Sequence, residues 1–201
     1  MKQATSAVVL AGGKSERMGC PKPYLDFQGK TFIEKIIETY KLADVENITV
    51  VFNKNYILPI WKKLLNHLKS EARIIVNDNS TAGRFHSLKL GLDNITETDY
   101  CFIQNVDNPF VSPSLINTLY ENKIPDAYTV PVHENHGGHP ILISKSIIDH
   151  IRKIEKSELT LREILSNFKR NEVVVNDPSI LFNINTPEDY KKYSLNSGFF
   201  L

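Results

Sequence analysis

At 201 residues, 41% of them hydrophobic, the chain is long enough for one sizeable core, and nothing in its composition forces a split into two domains. Lys and Arg total 24 against 23 Asp and Glu, so no broad basic field exists for nucleic acid or an anionic membrane surface, and any anion recognition must be local. No stretch approaches the ~20 apolar residues of a membrane span, and the run Ala7–Leu10 is too short for a signal peptide. The two cysteines, Cys20 and Cys101, lack a C-x-x-C spacing, a usage that predicts free thiols in a reducing cytoplasm.

Apolar runs of strand length alternate with segments of helical period, which predicts an α/β fold: a single domain with a mostly parallel sheet flanked by helices. Ala7–Leu10 reads as the first strand. In Thr31–Tyr40 the residues Phe32, Ile33, Ile36, Ile37 and Tyr40 share one helical stripe, and Ile48–Phe52 is the next β-branched run. Tyr56–Leu68 repeats the helical period, with Pro59 tolerable only in its first turn. Arg73–Val76, Tyr100–Gln104 and Ala127–Val132 are further strands. Helices are predicted over Phe85–Leu92 and Pro113–Glu121, the second with Ser112 as N-cap and Pro113 at its first position. In the C-terminal third, short strands over Ile141–Ile143, Glu172–Val175 and Ile180–Ile184 alternate with helices over Ser146–Ile154 and Thr160–Phe168, which predicts antiparallel additions to the sheet. The domain is expected to span residues 1–193, with 194–201 as a C-terminal tail.

In open α/β sheets ligands sit beyond the carboxyl ends of the strands, so the loops after strands are where chemistry is sought. The first of them begins Gly12-Gly13-Lys14-Ser15 and runs on through Arg17, Met18, Gly19, Cys20 and Pro21 to Lys22. Adjacent glycines let backbone N–H groups approach an anion closely, and Lys14, Arg17 and Lys22 add cationic contacts. Gly-Gly after an apolar run is also an ordinary turn, but a turn has no use for three cations on one side of a strand end. Neither G-x-x-x-x-G-K-[ST] nor G-x-G-x-x-G fits. The stretch from Leu10 and Ala11 to Lys22 instead resembles the L-A-x-G-x-S-x-R-M-G-x-x-K signature of the MobA-like nucleotidyltransferases, which move a nucleoside monophosphate from an NTP to a phosphate-bearing acceptor.

Four further positions carry unusual residues. In Asn105-Val106-Asp107-Asn108-Pro109-Phe110-Val111-Ser112-Pro113, Asp107 fits an Asx turn before Pro109 and fits a Mg²⁺ ligand equally well; the segment is similar to the family's D-x-P-F-V-x-P, where that aspartate binds the metal. His133, His136 and His139 invite a zinc reading by spacing, yet Gly137-Gly138 and Pro140 break any helix that would align them. Gly138-His139-Pro140 matches a segment on the family's acceptor side, which gives His139 either an acceptor-binding role or that of a strand-end residue. Asn183-Ile184-Asn185-Thr186-Pro187-Glu188-Asp189 is a helix start with Thr186 as N-cap and Asp189 closing a capping box. Cytidylyltransferase relatives carry an aspartate where this chain has Asn185, whose amide oxygen can ligate Mg²⁺ without adding charge. Between Asn77 and Leu88, Asp78 can bind ribose or base and Arg84 can assist a phosphate, or both can belong to a solvated loop. Asn53 occupies the position of a nucleotide contact in guanylyltransferase relatives, and reads equally as an ordinary helix-leading asparagine.

The resemblance runs from Ala7 to about Tyr190 and includes Leu161-Arg162-Glu163-Ile164-Leu165. It implies an in-line displacement at the α-phosphorus of an NTP by a phosphate monoester such as that of molybdopterin, with release of pyrophosphate. Gly12, Gly13, Lys14 and Ser15 then line the β- and γ-phosphates, Arg17 holds the departing pyrophosphate, Lys22 bridges the α-phosphate, and Asp107 holds Mg²⁺ or Mn²⁺. CTP is favoured over GTP because the acceptor-side segments resemble the cytidylyl branch, while Gly12, as in guanylyltransferases, leaves room beside the base. The partners implied are the NTP, a small phosphate-bearing acceptor and a molybdoenzyme apoprotein that receives the product. An isoprenoid-precursor or sugar-phosphate cytidylyltransferase is the enzymatic alternative, and a non-catalytic nucleotide-binding regulator or molybdoenzyme chaperone the other.

Overall fold

The computed structural model describes residues 4–79, 82–155 and 159–195, with Ser194 and Leu195 described by their backbone alone. Its centre is an eight-stranded sheet. Strand β1 (Thr5–Ala11) is followed by a small antiparallel pair, β2 (Asp26–Phe27) and β3 (Lys30–Thr31), and by helix α1 (Phe32–Leu42). Then come β4 (Asn47–Asn53), α2 (Lys62–Glu71), β5 (Arg73–Asn77), α3 (Gly83–Asp93), β6 (Tyr100–Asn105) and α4 (Pro113–Glu121). The last part holds β7 (Ala127–His133), β8 (His136–Gly137), β9 (Ile141–Ser144), α5 (Lys145–Lys153), α6 (Leu161–Leu165), β10 (Lys169–Val174) and α7 (Pro187–Leu195). The strands run in the order β10-β7-β9-β6-β1-β4-β5, with β8 paired to β7. Strands β5, β4, β1 and β6 are mutually parallel, whereas β9 is antiparallel to both β6 and β7. The antiparallel additions expected in the C-terminal third are therefore present.

Strand β1 is buried on both faces, as a central parallel strand must be. Its alternate residues feed two cores. Ala7, Val9 and Ala11 pack with α1, α2 and α4 on one face; Val8 and Leu10 pack with α3, α5 and α6 on the other. Gly91 lets α3 press onto the second face, since a Cβ there would stand 2.5 Å from Val8 Cγ1. Helix starts follow the local chemistry. Thr31 and Glu34 form a reciprocal capping box, and the Ser112 hydroxyl accepts the Leu115 N–H at 3.2 Å.

Three predicted elements are corrected. Tyr56–Leu68 is not one helix: 3₁₀ turns over Lys54–Tyr56 and Pro59–Trp61 precede α2, which begins only at Lys62. Leu58, preceding a proline, is held extended at φ −99°, ψ 147°, which interrupts the helical run. Ile180–Ile184 is not a strand but a 3₁₀ turn over Pro178–Leu181 and an irregular segment, started by Asp177, whose carboxylate accepts the Ser179 N–H. Ile180 and Ile184 are nonetheless buried, so the apolar run reflects packing rather than sheet pairing. Thr160–Phe168 shortens to α6, with β10 already under way at Lys169. The tail expected over 194–201 lies mostly outside the described residues, as do Ser80 and Thr81. Cys20 is exposed and Cys101 buried, both as free thiols. Among the described residues no helix is long and apolar enough to cross a membrane.

Candidate active site

The chain passes from β1 outward through β4 to β5 and then returns to lay β6 on the other side of β1. Loops leaving β1 and β6 thus diverge at a topological switch point, where open α/β sheets bind ligands. In register Leu10 faces Asn105 of β6 and Ala11 faces Phe52 of β4. The Gly12–Lys22 loop therefore rises between Asn53 on one side and Asp107 on the other. A cavity of about 170 Å³ opens there, and it is lined by Leu10 through Ser15, by Lys22 and Asp107, and by Arg84. Nine of the residues expected from the sequence meet in one place.

The loop is shaped by its neighbours. The Asn53 amide donates to the Gly12 carbonyl at 3.3 Å and the Tyr56 hydroxyl to the Gly13 carbonyl at 2.7 Å. Ser15 takes a left-handed conformation, φ 52°, and its carbonyl accepts the N–H groups of Met18 and Gly19, turning the chain back toward Lys22. Gly12 is required from within: a Cβ there would come within 2.9 Å of Ser87 Oγ, which accepts a hydrogen bond from Asn77. A side chain at position 12 would thus point at Ser87 of α3, which lines the same cavity. Nothing lies within 4 Å of a Cβ built on Gly13.

Lys22 departs most from a loop cation in solvent, being only 8% exposed. Its ammonium donates to Asn185 Oδ1 at 2.8 Å and stands 3.7 Å from Asp107 Oδ2. Burial pulls its pKa below the ordinary lysine value, Asp107 opposing that and Arg17 adding to it. The two loops that carry its partners are tied by the Ile184 N–H, which donates to the Asp107 carbonyl at 2.8 Å. Asn108, beside Asp107, is anchored through its amide to the carbonyls of Ser179 and Ile180, and Gln104 donates to the Asn108 carbonyl at 2.9 Å. Asp107 Oδ1 is buried and has no hydrogen-bond partner among the described residues. A buried carboxylate oxygen without a partner, with the Asn185 amide oxygen on the same Lys22 ammonium as the carboxylate, fits a hard divalent cation. No group of three or more His, Cys, Asp or Glu able to hold a metal occurs among the described residues, so phosphate oxygens and water would complete such a site.

The remaining expected residues are spread around this centre. His139 lies with Nε2 3.1 Å from the Asn105 amide nitrogen, and its pKa is lowered by burial and by Arg84, against a smaller opposing effect of Asp107. The imidazole is thereby kept neutral near pH 7. Gly138 is needed for packing, a Cβ there meeting the Ile180 carbonyl at 2.5 Å. Arg17 is exposed, and Lys14 is an exposed ion-pair partner of Glu16 at 3.6 Å. Arg84 is exposed at the start of α3, on the cavity wall. Asp78 is exposed after β5 and is not among the described residues that line the cavity; Asn53 is buried beneath the loop rather than open to it. Thr186 and Asp189 form the predicted capping box, with the Asp189 carboxylate accepting the N–H groups of Asn185 and Thr186 at 3.0 Å each. Tyr56 and Ser87 were missed because their local pattern marks them only as helix positions.

The chain is similar to known proteins over most of its length. A probable molybdenum cofactor guanylyltransferase of Natranaerobius thermophilus is 29% identical, the match covering 96% of each chain. The molybdenum cofactor cytidylyltransferase of Escherichia coli is 25% identical over 93% of this chain and 94% of that one. A 2-C-methyl-D-erythritol 4-phosphate cytidylyltransferase of Thermosipho melanesiensis is 32% identical over 64% of this chain and 59% of its own length. Among solved structures, a nucleotidyl transferase from Methanothermobacter thermautotroptrophicus superposes with a TM-score of 0.77 at 21% identity, covering 96% of this chain and 97% of that one. Rv0371C from Mycobacterium tuberculosis, in complex with manganese, does so with 0.72 at 15% identity, covering 96% and 98%. Residues 7–173 match the MobA-like NTP transferase domain, and the chain belongs to that family of nucleotidyltransferases.

Proposed function

We propose that this nucleotidyltransferase moves CMP from CTP to the terminal phosphate of molybdopterin or its molybdenum-loaded form, releasing pyrophosphate. The observation that carries the reading is the pairing of a buried Lys22 ammonium with Asp107 at the mouth of a glycine-lined cavity. The attacking acceptor phosphate is already an anion, so no strong general base is required, and catalysis rests on positioning and charge neutralisation. The backbone of Gly12–Ser15, with Lys14, holds the β- and γ-phosphates. Arg17 reaches the departing pyrophosphate from the exposed turn. Lys22 releases Asn185 and moves to the α-phosphate, and neutral His139 with Asn105 offers the acceptor side hydrogen bonds without adding charge. A divalent ion, Mg²⁺ or Mn²⁺, would be held by Asp107 and Asn185 and would neutralise triphosphate charge.

The base preference rests on the acceptor-side segments Gly138-His139-Pro140 and Leu161–Leu165, which resemble the cytidylyl branch. The relative in Thermosipho supports a second reading, cytidylyl transfer to an isoprenoid-precursor phosphate. Pyrophosphate release measured with CTP and with GTP, each with molybdopterin or 2-C-methyl-D-erythritol 4-phosphate, decides among them. Turnover is expected with CTP and molybdopterin. Faster turnover with GTP overturns the base assignment, turnover only with the erythritol phosphate overturns the acceptor, and no turnover with any pair favours a non-catalytic nucleotide-binding protein.

The two loop glycines should respond differently to a methyl group. Gly12→Ala drives a Cβ into Ser87 and its bond to Asn77, an overpacking that costs about 1–3 kcal/mol. At ~2–4 °C per kcal/mol, its thermal midpoint should fall by several degrees. Gly13→Ala meets nothing within 4 Å, so its midpoint should match the parent while Mg-CTP binding weakens about tenfold, ~1.4 kcal/mol, as the methyl takes space on the cavity wall. Thermal melts and calorimetric titration check the pair; equal stability of the two variants would contradict the role given to Ser87.

A further inference from the structure

We infer that Tyr56 is a positioning residue for the phosphate-binding loop: with Asn53 it holds two consecutive carbonyls back, and so turns the intervening N–H groups toward the triphosphate. The inference rests on the nucleotidyl-transfer reading above. In an extended strand successive carbonyls alternate sides, yet those of Gly12 and Gly13 both accept hydrogen bonds from the end of β4 and the turn after it, from Asn53 at 3.3 Å and Tyr56 at 2.7 Å. In a trans peptide the C=O of one residue and the N–H of the next point in opposite directions. Fixing the carbonyls of Gly12 and Gly13 on the Asn53 and Tyr56 side therefore fixes the N–H groups of Gly13 and Lys14 on the other. Neither of these N–H groups has a partner among the described residues, and both residues line the cavity. Two adjacent N–H groups aimed the same way form an anion-binding concavity.

Tyr56 is itself held in place from the Lys22 side. The hydroxyl of Tyr24, on the same 3₁₀ turn as Lys22, donates to the Tyr56 carbonyl at 2.6 Å. The Tyr24 ring stacks on Trp61 at 4.3 Å between centroids. The chain Tyr24, Tyr56, Gly13 thus sets the spacing between the α-phosphate cation and the N–H pair. It also gives the segment 54–61 a reason to leave the helical period that its apolar residues suggest.

Tyr56→Phe removes the hydroxyl and keeps the ring. Calorimetric titration of parent and variant with inorganic tripolyphosphate and with CMP, both in excess Mg²⁺, separates positioning from general support. The expected result is about tenfold weaker tripolyphosphate binding, CMP binding within about twofold, and a thermal midpoint within a few degrees of the parent. Equal tripolyphosphate affinity in parent and variant overturns the inference and leaves the nucleotidyl-transfer reading intact. So does a parallel loss for both ligands with a large fall in midpoint, which marks a merely structural residue. A parent that binds neither tripolyphosphate nor CMP overturns both.

Discussion

Lys22→Met should lower nucleotidyl transfer by about 10²–10³-fold, the usual loss when one preorganised charge is removed from a transition state. Methionine keeps most of the apolar stem, which matters because Lys22 is 8% exposed and its stem is packed. The substitution has a second effect that a solvent-side cation would not produce. It leaves the Asp107 carboxylate, 16% exposed at its side chain, without the ammonium 3.7 Å away, and leaves Asn185 Oδ1 without its donor. An uncompensated, mostly buried group costs on the order of 1–3 kcal/mol, so the variant should melt a few degrees lower. Adding Asp107→Asn to Lys22→Met should recover much of that stability and none of the activity. Pyrophosphate release and thermal melts on the three proteins check this. A single variant with parental turnover removes Lys22 from the reaction, and a double variant no more stable than the single removes the coupling.

Much of the site was legible because its residues sit within contiguous loops of distinctive chemistry. Gly12 through Lys22 is one segment, and the strand before it predicts where the loop emerges. The position of Asp107 followed from the same logic applied to β6. What local pattern does not carry is how loops distant in sequence meet. Lys22 and Asn185 are 163 residues apart, and nothing near either shows that one binds the other. The burial of Lys22 was hidden for the same reason. The contact between Gly12 and Ser87 was hidden in the same way, because Ser87 comes from α3, four strands later in the chain. Tyr56 belonged to a stretch whose apolar spacing fits a helix; the period was real, but Leu58-Pro59 breaks it, and Ile57, Leu58 and Ile60 are left exposed. The Ile180–Ile184 run failed as a strand because burial against the Asp107 loop, through Asn108 and the Ile184 N–H, replaces sheet pairing.

Asp107→Ala should abolish divalent-ion-dependent turnover, whereas Asn185→Asp should keep it and tighten metal binding. Asp107 is the carboxylate of the site and its Oδ1 is the buried oxygen without a partner, so its loss removes the ligand that brings negative charge to the ion. Metal stabilisation of transition-state charge is worth several kcal/mol, which corresponds to roughly 10³-fold in rate. Asn185 differs. Its Oδ1 already accepts the Lys22 ammonium at 2.8 Å, so in the free protein one positive charge faces one carboxylate across the site. A second carboxylate at 185 sets two negative charges against the one Lys22 ammonium between them, and a cation then gains a Coulombic attraction that the amide does not offer. Electron paramagnetic resonance titration of the nucleotide-free protein with Mn²⁺ measures this directly, independent of turnover. The expected order of affinity is Asn185→Asp above parent above Asp107→Ala. Equal affinity in parent and Asp107→Ala removes Asp107 from the metal site, and a weaker Asn185→Asp means that the new carboxylate is consumed by Lys22 instead of the ion.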